Sequence, residues 1–274
     1  MSNAPDFSLQ VRRRFGRHAA DYDQQAQLQR ATAWRLAHWI RQLPLPPGPC
    51  ADLGAGTGLL GQALRRQSAN GPAGAGRGLD PEALLQLDLC PELLARNPLP
   101  RQRRWNLDSG LPPELQGAGL LSSSFALQWL PQPAHQLGRW CTALRPGGWL
   151  ALAVPIAASF PEWRQAAAAA GVPCTALPLP EAGALIAAAA PQLSLRLQQR
   201  LRFRRRDGDG RRFLGQLSRL GAGASPSGPL SPGQLRRLLA AWPPGGVVHW
   251  EVLLLLGQRP QEPPAASQAQ GARS

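Results

Sequence analysis

The chain has 274 residues, 43% of them hydrophobic, which is enough to bury a full core and excludes a wholly disordered protein. Its formal charge of +14 comes from 30 arginines, with no lysine, against 16 acidic residues. Such a balance favours a polyanionic partner, whether nucleic acid, an anionic membrane surface or a small acidic protein, over a neutral one.

The opening stretch MSNAPDFSLQVRRRF has no apolar core of the kind a secretory signal needs. The longest apolar runs, 184–190 and 252–256, are too short to span a bilayer. Cys50, Cys90, Cys141 and Cys174 lie far apart, with no CxxC pair and no histidine at ligand spacing. These features predict a soluble, cytoplasmic protein with free thiols and no metal centre.

Residues 17–43 contain no glycine or proline and repeat apolar side chains at helical spacing, so they predict one or two amphipathic helices. Pro44-Leu-Pro-Pro-Gly-Pro49 ends them. A short strand over 50–53 then enters Gly54-Ala-Gly-Thr-Gly58, and 59–67 reads as a helix. Residues 68–78 are rich in Gly and Ala and predict an exposed insertion. Strand and helix alternate again at 84–87 and 91–96, then at 118–122 and 133–144. The turn Arg145-Pro-Gly-Gly148 leads into an apolar strand over 149–154. This alternation predicts a Rossmann-like, doubly wound α/β fold. Two late strands, 193–203 and 247–256, enclose a helix at 213–220 and a loop at 221–233. They complete a seven-stranded sheet, mainly parallel with an antiparallel C-terminal edge. The chain thus divides into an N-terminal helical lid (1–43), the main domain (44–258) and a disordered tail (259–274).

The strongest local signal is Ala51-Asp-Leu-Gly-Ala-Gly-Thr-Gly58. A strand ends in a tight turn whose glycines remove side chains where a ligand meets the main chain. The helix that follows offers unpaired N–H groups to a carboxylate. Asp52, just ahead of Gly54, Gly56 and Gly58, is placed to meet an ammonium. That arrangement suits S-adenosyl-L-methionine. Gly56-Thr-Gly-Leu-Leu-Gly61 formally fits the dinucleotide pattern GxGxxG, but the acid before the first glycine and the GxGxG spacing favour the methyl donor. A second acid is expected at the end of the next strand, for the ribose hydroxyls. Asp80 and Asp88 both qualify. Asp88 follows the better strand, although it lies beyond the usual ~20 residues from the glycines. In the loop Trp105-Asn-Leu-Asp108, Asn106 and Asp108 are candidates for an adenine amino group.

Further segments carry a resemblance. They are Phe15-Gly-Arg-His-Ala-Ala-Asp-Tyr-Asp-Gln-Gln-Ala-Gln-Leu-Gln29, Leu87-Asp-Leu-Cys-Pro-Glu-Leu-Leu94, Phe125-Ala-Leu-Gln-Trp-Leu130, Leu144-Arg-Pro-Gly-Gly148, Arg219-Leu-Gly-Ala222 and His249-Trp-Glu-Val-Leu253. With the glycine turn, they make the sequence resemble the malonyl-acyl-carrier-protein O-methyltransferases of biotin synthesis, over about 11–258. The glycine turn and Leu-Arg-Pro-Gly-Gly are general to class I S-adenosylmethionine-dependent methyltransferases. The N-terminal signature and Ala-Leu-Gln-Trp are the discriminating pieces. The loop before strand two is longer than the family's, and 155–162 lacks its usual segment.

The resemblance implies O-methylation of a malonyl carboxylate held on an acidic acyl carrier protein, with no nucleic-acid or membrane partner. It adds Gln29 and Phe125 to the donor site and places Tyr22 and Gln128 at the reacting end. A carboxylate is ionised at neutral pH and needs no general base, in keeping with four scattered histidines. Arg202, Arg204, Arg205, Arg206, Arg211 and Arg212 would form the carrier-docking face. A small quinone or lipid precursor is the alternative acceptor, and RNA a more distant one.

Overall fold

A computed structural model of the chain describes residues 4–69, 79–206 and 208–261, with the backbone alone for 4–6. Seven strands form one sheet: β1 (Cys50–Leu53), β2 (Leu85–Asp88), β3 (Gln102–Arg104), β4 (Ala118–Ser124), β5 (Leu144–Pro155), β6 (Ser194–Arg206) and β7 (Val247–Gln258). Their order is β3-β2-β1-β4-β5-β7-β6. Pairs among β1–β5 are parallel, whereas β7 runs antiparallel to both β5 and β6. The order reverses between β1 and β4, and the crevice at the carboxyl ends of those strands is where such sheets receive ligands.

Among the described residues the α-helices are α1 (Ala4–His18), α2 (Tyr22–Gln25), α3 (Gln27–Ile40), α4 (Leu59–Ala69), α5 (Pro91–Leu94), α6 (Pro133–Ala143), α7 (Pro161–Ala169), α8 (Ala182–Ala189), α9 (Gly210–Arg219) and α10 (Pro232–Ala240). The central strands are apolar on both faces because helices cover both. On β5, Leu150, Leu152 and Val154 join Leu137 and Trp140 of α6 and Leu185 of α8. The alternate residues Trp149, Ala151 and Ala153 join Leu36 and Ile40 of α3 and Leu60 and Leu64 of α4. A third cluster gathers Phe160, Trp163, Phe213, Leu217, Trp242 and Val248 beside the antiparallel edge.

The expected strands and helices are present with shifts of a few residues, and the seven-stranded mixed sheet is as anticipated. Several elements add to the reading. A helix precedes the predicted N-terminal one, since α1 begins at Ala4 and the expected 17–43 segment is split into α2 and α3. The short polar β3, and α7, α8 and α10, had no predicted counterpart. α10 replaces the end of the predicted 221–233 loop, and its start carries a full capping box between Ser231 and Gln234.

Of the anticipated 1–43 lid, α1 and α2 lie at the crevice, whereas Ala33, Leu36, Ala37 and Ile40 of α3 are core. Most of the 68–78 insertion (70–78) and most of the tail (262–274) fall outside the described residues. Within the tail, Arg259 is still tied to the main chain, donating to the Gly148 carbonyl at 2.8 Å and accepting from Gly147 N–H at 2.9 Å. Among the described residues no helix is long and apolar enough to cross a membrane.

Trp140 has no exposed surface, so Trp140→Ala should lower the unfolding free energy by about 3–5 kcal/mol. Ser231→Ala removes only an exposed cap and should cost about 1 kcal/mol. Urea titration of both variants checks the contrast.

Candidate active site

The site grows from the turn after β1. Gly54 and Ala55 both donate to the Leu87 carbonyl at 2.8 Å, which fastens the turn to the end of β2. Gly54 has φ +76°, and a Cβ there would lie 2.1 Å from that of Ala126. The turn is therefore pressed against the residue that follows Phe125. Gly56 has no such neighbour; its nearest atom to an added Cβ is 3.7 Å away, and its bare main chain borders the cavity. Gly58 is different again. A Cβ there would meet the buried Asn97 at 2.3 Å, and Gly58 does not border the cavity. Its φ of +77° and the close approach of Asn97 both require glycine there.

Gly56 N–H donates to Asp88 Oδ2 at 2.8 Å, and Cys90 N–H to Oδ1 at 2.7 Å. Asp88 thus closes the floor between β1 and β2. Burial pushes its carboxyl up to about 6, against the lowering effect of these backbone hydrogen bonds. Burial also lifts Asp52 to about 7; the Ser122 hydroxyl, 3.3 Å away, pulls it down and the Asp88 charge pushes it up. Among the described residues neither acid is paired with an arginine. Two buried carboxyls without a cation call for a ligand that brings positive charge. An anionic dinucleotide would do the opposite. Asp80 plays no part here: it is exposed and accepts from Glu82 N–H at 3.0 Å, capping a short turn.

The cavity is bordered by Gln29, Asp52, Gly54, Gly56, Asp88, Asn106, Asp108 and Phe125 from the predicted set, with Tyr22 at its edge. Asn106 Oδ1 accepts from Asp108 N–H at 3.1 Å and so shapes the loop. Asp108 accepts from the Ser8 hydroxyl through one oxygen, while its Oδ1 is buried without a partner. That orphan acceptor suits an amino group of the ligand.

Sequence reasoning missed the contacts that hold the N-terminal helices. Thr57 Oγ1 donates to Asp23 Oδ1 at 2.6 Å, latching α2 onto the glycine turn. Ser8 of α1 ties to Asp108. Arg12 and Phe15 of α1 also border the cavity. Only the long separation of these partners in sequence hid them, because Thr57 lies inside the recognised turn and Asp23 inside the recognised signature.

Phe125 ends β4 with φ +57°, a left-handed conformation unfavourable for a bulky side chain. Its N–H still donates to the Ala153 carbonyl at 2.9 Å. Phe15, Tyr22, Gln29, Phe125 and Trp129 border both this cavity and a second one. Gln128 belongs to the second cavity alone; its Nε2 donates to the Phe125 carbonyl at 2.7 Å, and its Oε1 is buried without a partner. The Tyr22 hydroxyl is held neutral by burial and, secondarily, by the nearby Asp88 and Asp23 charges. Two cavities thus lie side by side with a shared, largely aromatic wall, and the acidic residues Asp52, Asp88 and Asp108, with Arg12, border the first.

Comparison with known proteins gives this geometry relatives. No family model matches the chain. A bifunctional biotin biosynthesis protein, BioCD of Bordetella avium, is 34% identical over 242 residues, covering 86% of this chain and 48% of its own. A malonyl-acyl-carrier-protein O-methyltransferase of Magnetococcus marinus is 31% identical over 170 residues, covering 60% of this chain and 58% of its own. By sequence, the chain is similar to these methyltransferases. It spans about half the length of the curated relatives it matches. The crystal structure of a putative methyltransferase from Bacillus halodurans shares the fold, with a TM-score of 0.54 at 13% identity over 83% of this chain and 99% of that one.

The raised carboxyls set a pH dependence. Asp52 and Asp88 hold protons in the folded state that they release near pH 4 when unfolded. Their contribution is therefore fully present below pH ~4 and is lost as the pH rises through about 6 and 7. Melting temperature should fall between pH 5 and pH 8 in the ligand-free protein. Asp52→Asn should flatten that fall, and differential scanning fluorimetry across the range measures both.

Proposed function

We propose that the chain transfers the methyl group of S-adenosylmethionine to the free carboxylate of a malonyl group carried as a thioester on an acyl carrier protein. The observation that supports this best is the pairing of an anionic first chamber with an uncharged second one through the Tyr22–Phe125–Trp129 waist. In this reading Asp52 meets the donor's ammonium and Asp88 its ribose hydroxyls. Asn106 and Asp108 face the adenine, with Gln29 and Phe125 beside the sulfonium. The donor supplies an electrophilic methyl. The malonyl carboxylate attacks it in line, forming an O–C bond as the C–S electron pair returns to sulfur, and no proton moves. The residues' work is alignment and exclusion of water. Tyr22 donates a hydrogen bond to the attacking carboxylate, and Gln128 walls the acceptor side.

The same reading gives the basic charge a use. Arg200, Arg202, Arg204 and Arg206 alternate along one exposed face of β6, the edge strand. Glu251 steadies Arg202 at 2.6 Å without covering it, since the arginine side chain is 70% exposed. Arg205 faces the other way and bonds Gln216. The row runs past Glu251 to Arg206, opposite Val247, on the face away from Phe203 and Trp250. An acidic carrier protein would be drawn to this row. A cytoplasmic setting accords with four unpaired cysteines.

Labelled S-adenosylmethionine incubated with malonyl-loaded, acetyl-loaded and unloaded carrier tests the assignment: a base-labile label should appear on the malonyl form alone. Label on none of them, with donor binding intact by calorimetry, would leave a methyltransferase with a different small acceptor. Tyr22→Phe should lower kcat about tenfold, the loss of one hydrogen bond to a charged group, at unchanged donor affinity. Arg204→Glu with Arg206→Glu should raise KM for the carrier substrate and weaken its salt dependence, leaving donor affinity as it was.

A further inference from the structure

β7 outruns its neighbour β5. The ladder between them ends at Pro155 opposite Val252, so 247–251 run on with β6 on one side only. On the open side, the segment that follows β5 takes the place of a strand. Ile156 N–H donates to the Glu251 carbonyl at 2.9 Å, and Phe160 N–H to the His249 carbonyl at 2.8 Å. Two side chains accept from the matching amides. Ser159 Oγ accepts from Glu251 N–H at 2.9 Å, and Glu162 Oε2 from His249 N–H at 3.2 Å.

These two acceptors differ in kind. Ser159 is neutral and also returns a hydrogen bond to the Glu251 carbonyl at 3.0 Å. Glu162 is a carboxyl with only 8% of its surface exposed, a costly choice where a hydroxyl would satisfy one amide. What the carboxyl adds is a second oxygen. Its Oε1 bonds the His249 ring at Nδ1, so one side chain grips one residue at both main chain and ring. Glu162 sits in the first turn of α7, two residues after Phe160. Phe160 has φ +58°, a conformation that persists only where its surroundings enforce it. Its ring stands edge-on to Trp250, the residue after His249, at 4.4 Å between centroids. Pro155, Phe160, Trp163 and Trp250 all border the second cavity, and none of them borders the first.

We infer that Glu162 is a positioning residue for the acceptor side. Through its two bonds to His249 it holds the start of α7 on the open end of β7, and so fixes where Phe160 and Trp163 stand in the second cavity. The inference rests on the carboxyl-methyltransferase reading above and deepens it. Glu162 borders neither cavity, and what it supplies is geometry rather than charge.

The test is steady-state methylation of malonyl-loaded carrier protein by three variants, with donor affinity measured by calorimetry. Glu162→Ala should raise KM for the carrier about tenfold through misplacement of the wall. Its kcat should stay within about twofold of the wild type, and its donor Kd should not move. Glu162→Gln should return KM to near the wild-type value, because its carbonyl can accept from His249 N–H while its amide donates to Nδ1 of a neutral ring. His249→Phe removes only the ring bond and should raise KM about threefold. Hydrogen exchange followed by mass spectrometry should quicken over 156–166 in Glu162→Ala and stay unchanged over 54–60. Unchanged KM or unchanged exchange in Glu162→Ala would overturn the inference, as would a donor Kd that weakens in step with KM. Should Glu162→Ala not fold, the other variants decide: wild-type KM in His249→Phe, or a KM in Glu162→Gln raised about tenfold, overturns it. A wild type that binds the donor but leaves the malonyl carrier unmethylated would instead remove the underlying reading, and the inference with it.

Discussion

Two carboxyls at the ends of neighbouring strands, Asp52 buried and Asp88 half-buried, with no ion-pair partner among the described residues, constrain everything around this site. Burial makes both unfavourable as ions, as their raised pKa values reflect. Keeping them there requires a floor of backbone donors, and the glycine turn provides one through Gly56 N–H. The turn must in turn be held close to β2 and β4, which is why Gly54 sits against both the Leu87 carbonyl and Ala126. The strand order that places β1 between β2 and β4 is what makes those three approaches possible at one point.

The N-terminal helices complete this arrangement rather than merely covering it. Asp23 reaches Thr57 inside the turn, and Ser8 reaches Asp108 on the loop after β3. Each contact joins an N-terminal helix to the border of the cavity or to the residue beside it, so the position of those helices and the geometry of the floor are coupled. Phe15 adds an apolar tie, packing edge-on to Trp129 at 5.5 Å and to Tyr22 at 6.1 Å.

Much of this was legible in the sequence because its signals are local. The glycine turn, the acid before it and the strand-helix alternation each occupy a few adjacent residues, and the sheet followed from them. The place of Asp88 at the end of β2 was legible for the same reason, since a good strand leads into it and a helix follows. What stayed hidden depends on distance. Nothing near Gly58 announces Asn97, nothing near Trp163 announces a chamber, and α1 shows no strong reason to be a helix until the crevice it docks on exists. β3 is three polar residues long and is a strand only because β2 offers it an edge. Both 3.6-residue periodicity and turn chemistry were blind to such cases, in which tertiary contact decides the local state.

Phe125 and Phe160 are both held at φ near +57°, where glycine or asparagine would rest more easily. One ends β4 at the waist; the other opens α7, three residues before Trp163. Each carries on the order of 1–2 kcal/mol of conformational strain, set against only a marginal overall stability. A chain selected for robustness alone would relax both positions. That neither is relaxed means the backbone there is held by its surroundings, which fixes the direction in which each ring leaves the chain. Substitutions that raise the melting temperature at these two points would therefore trade rigidity of the chamber walls for durability of the fold.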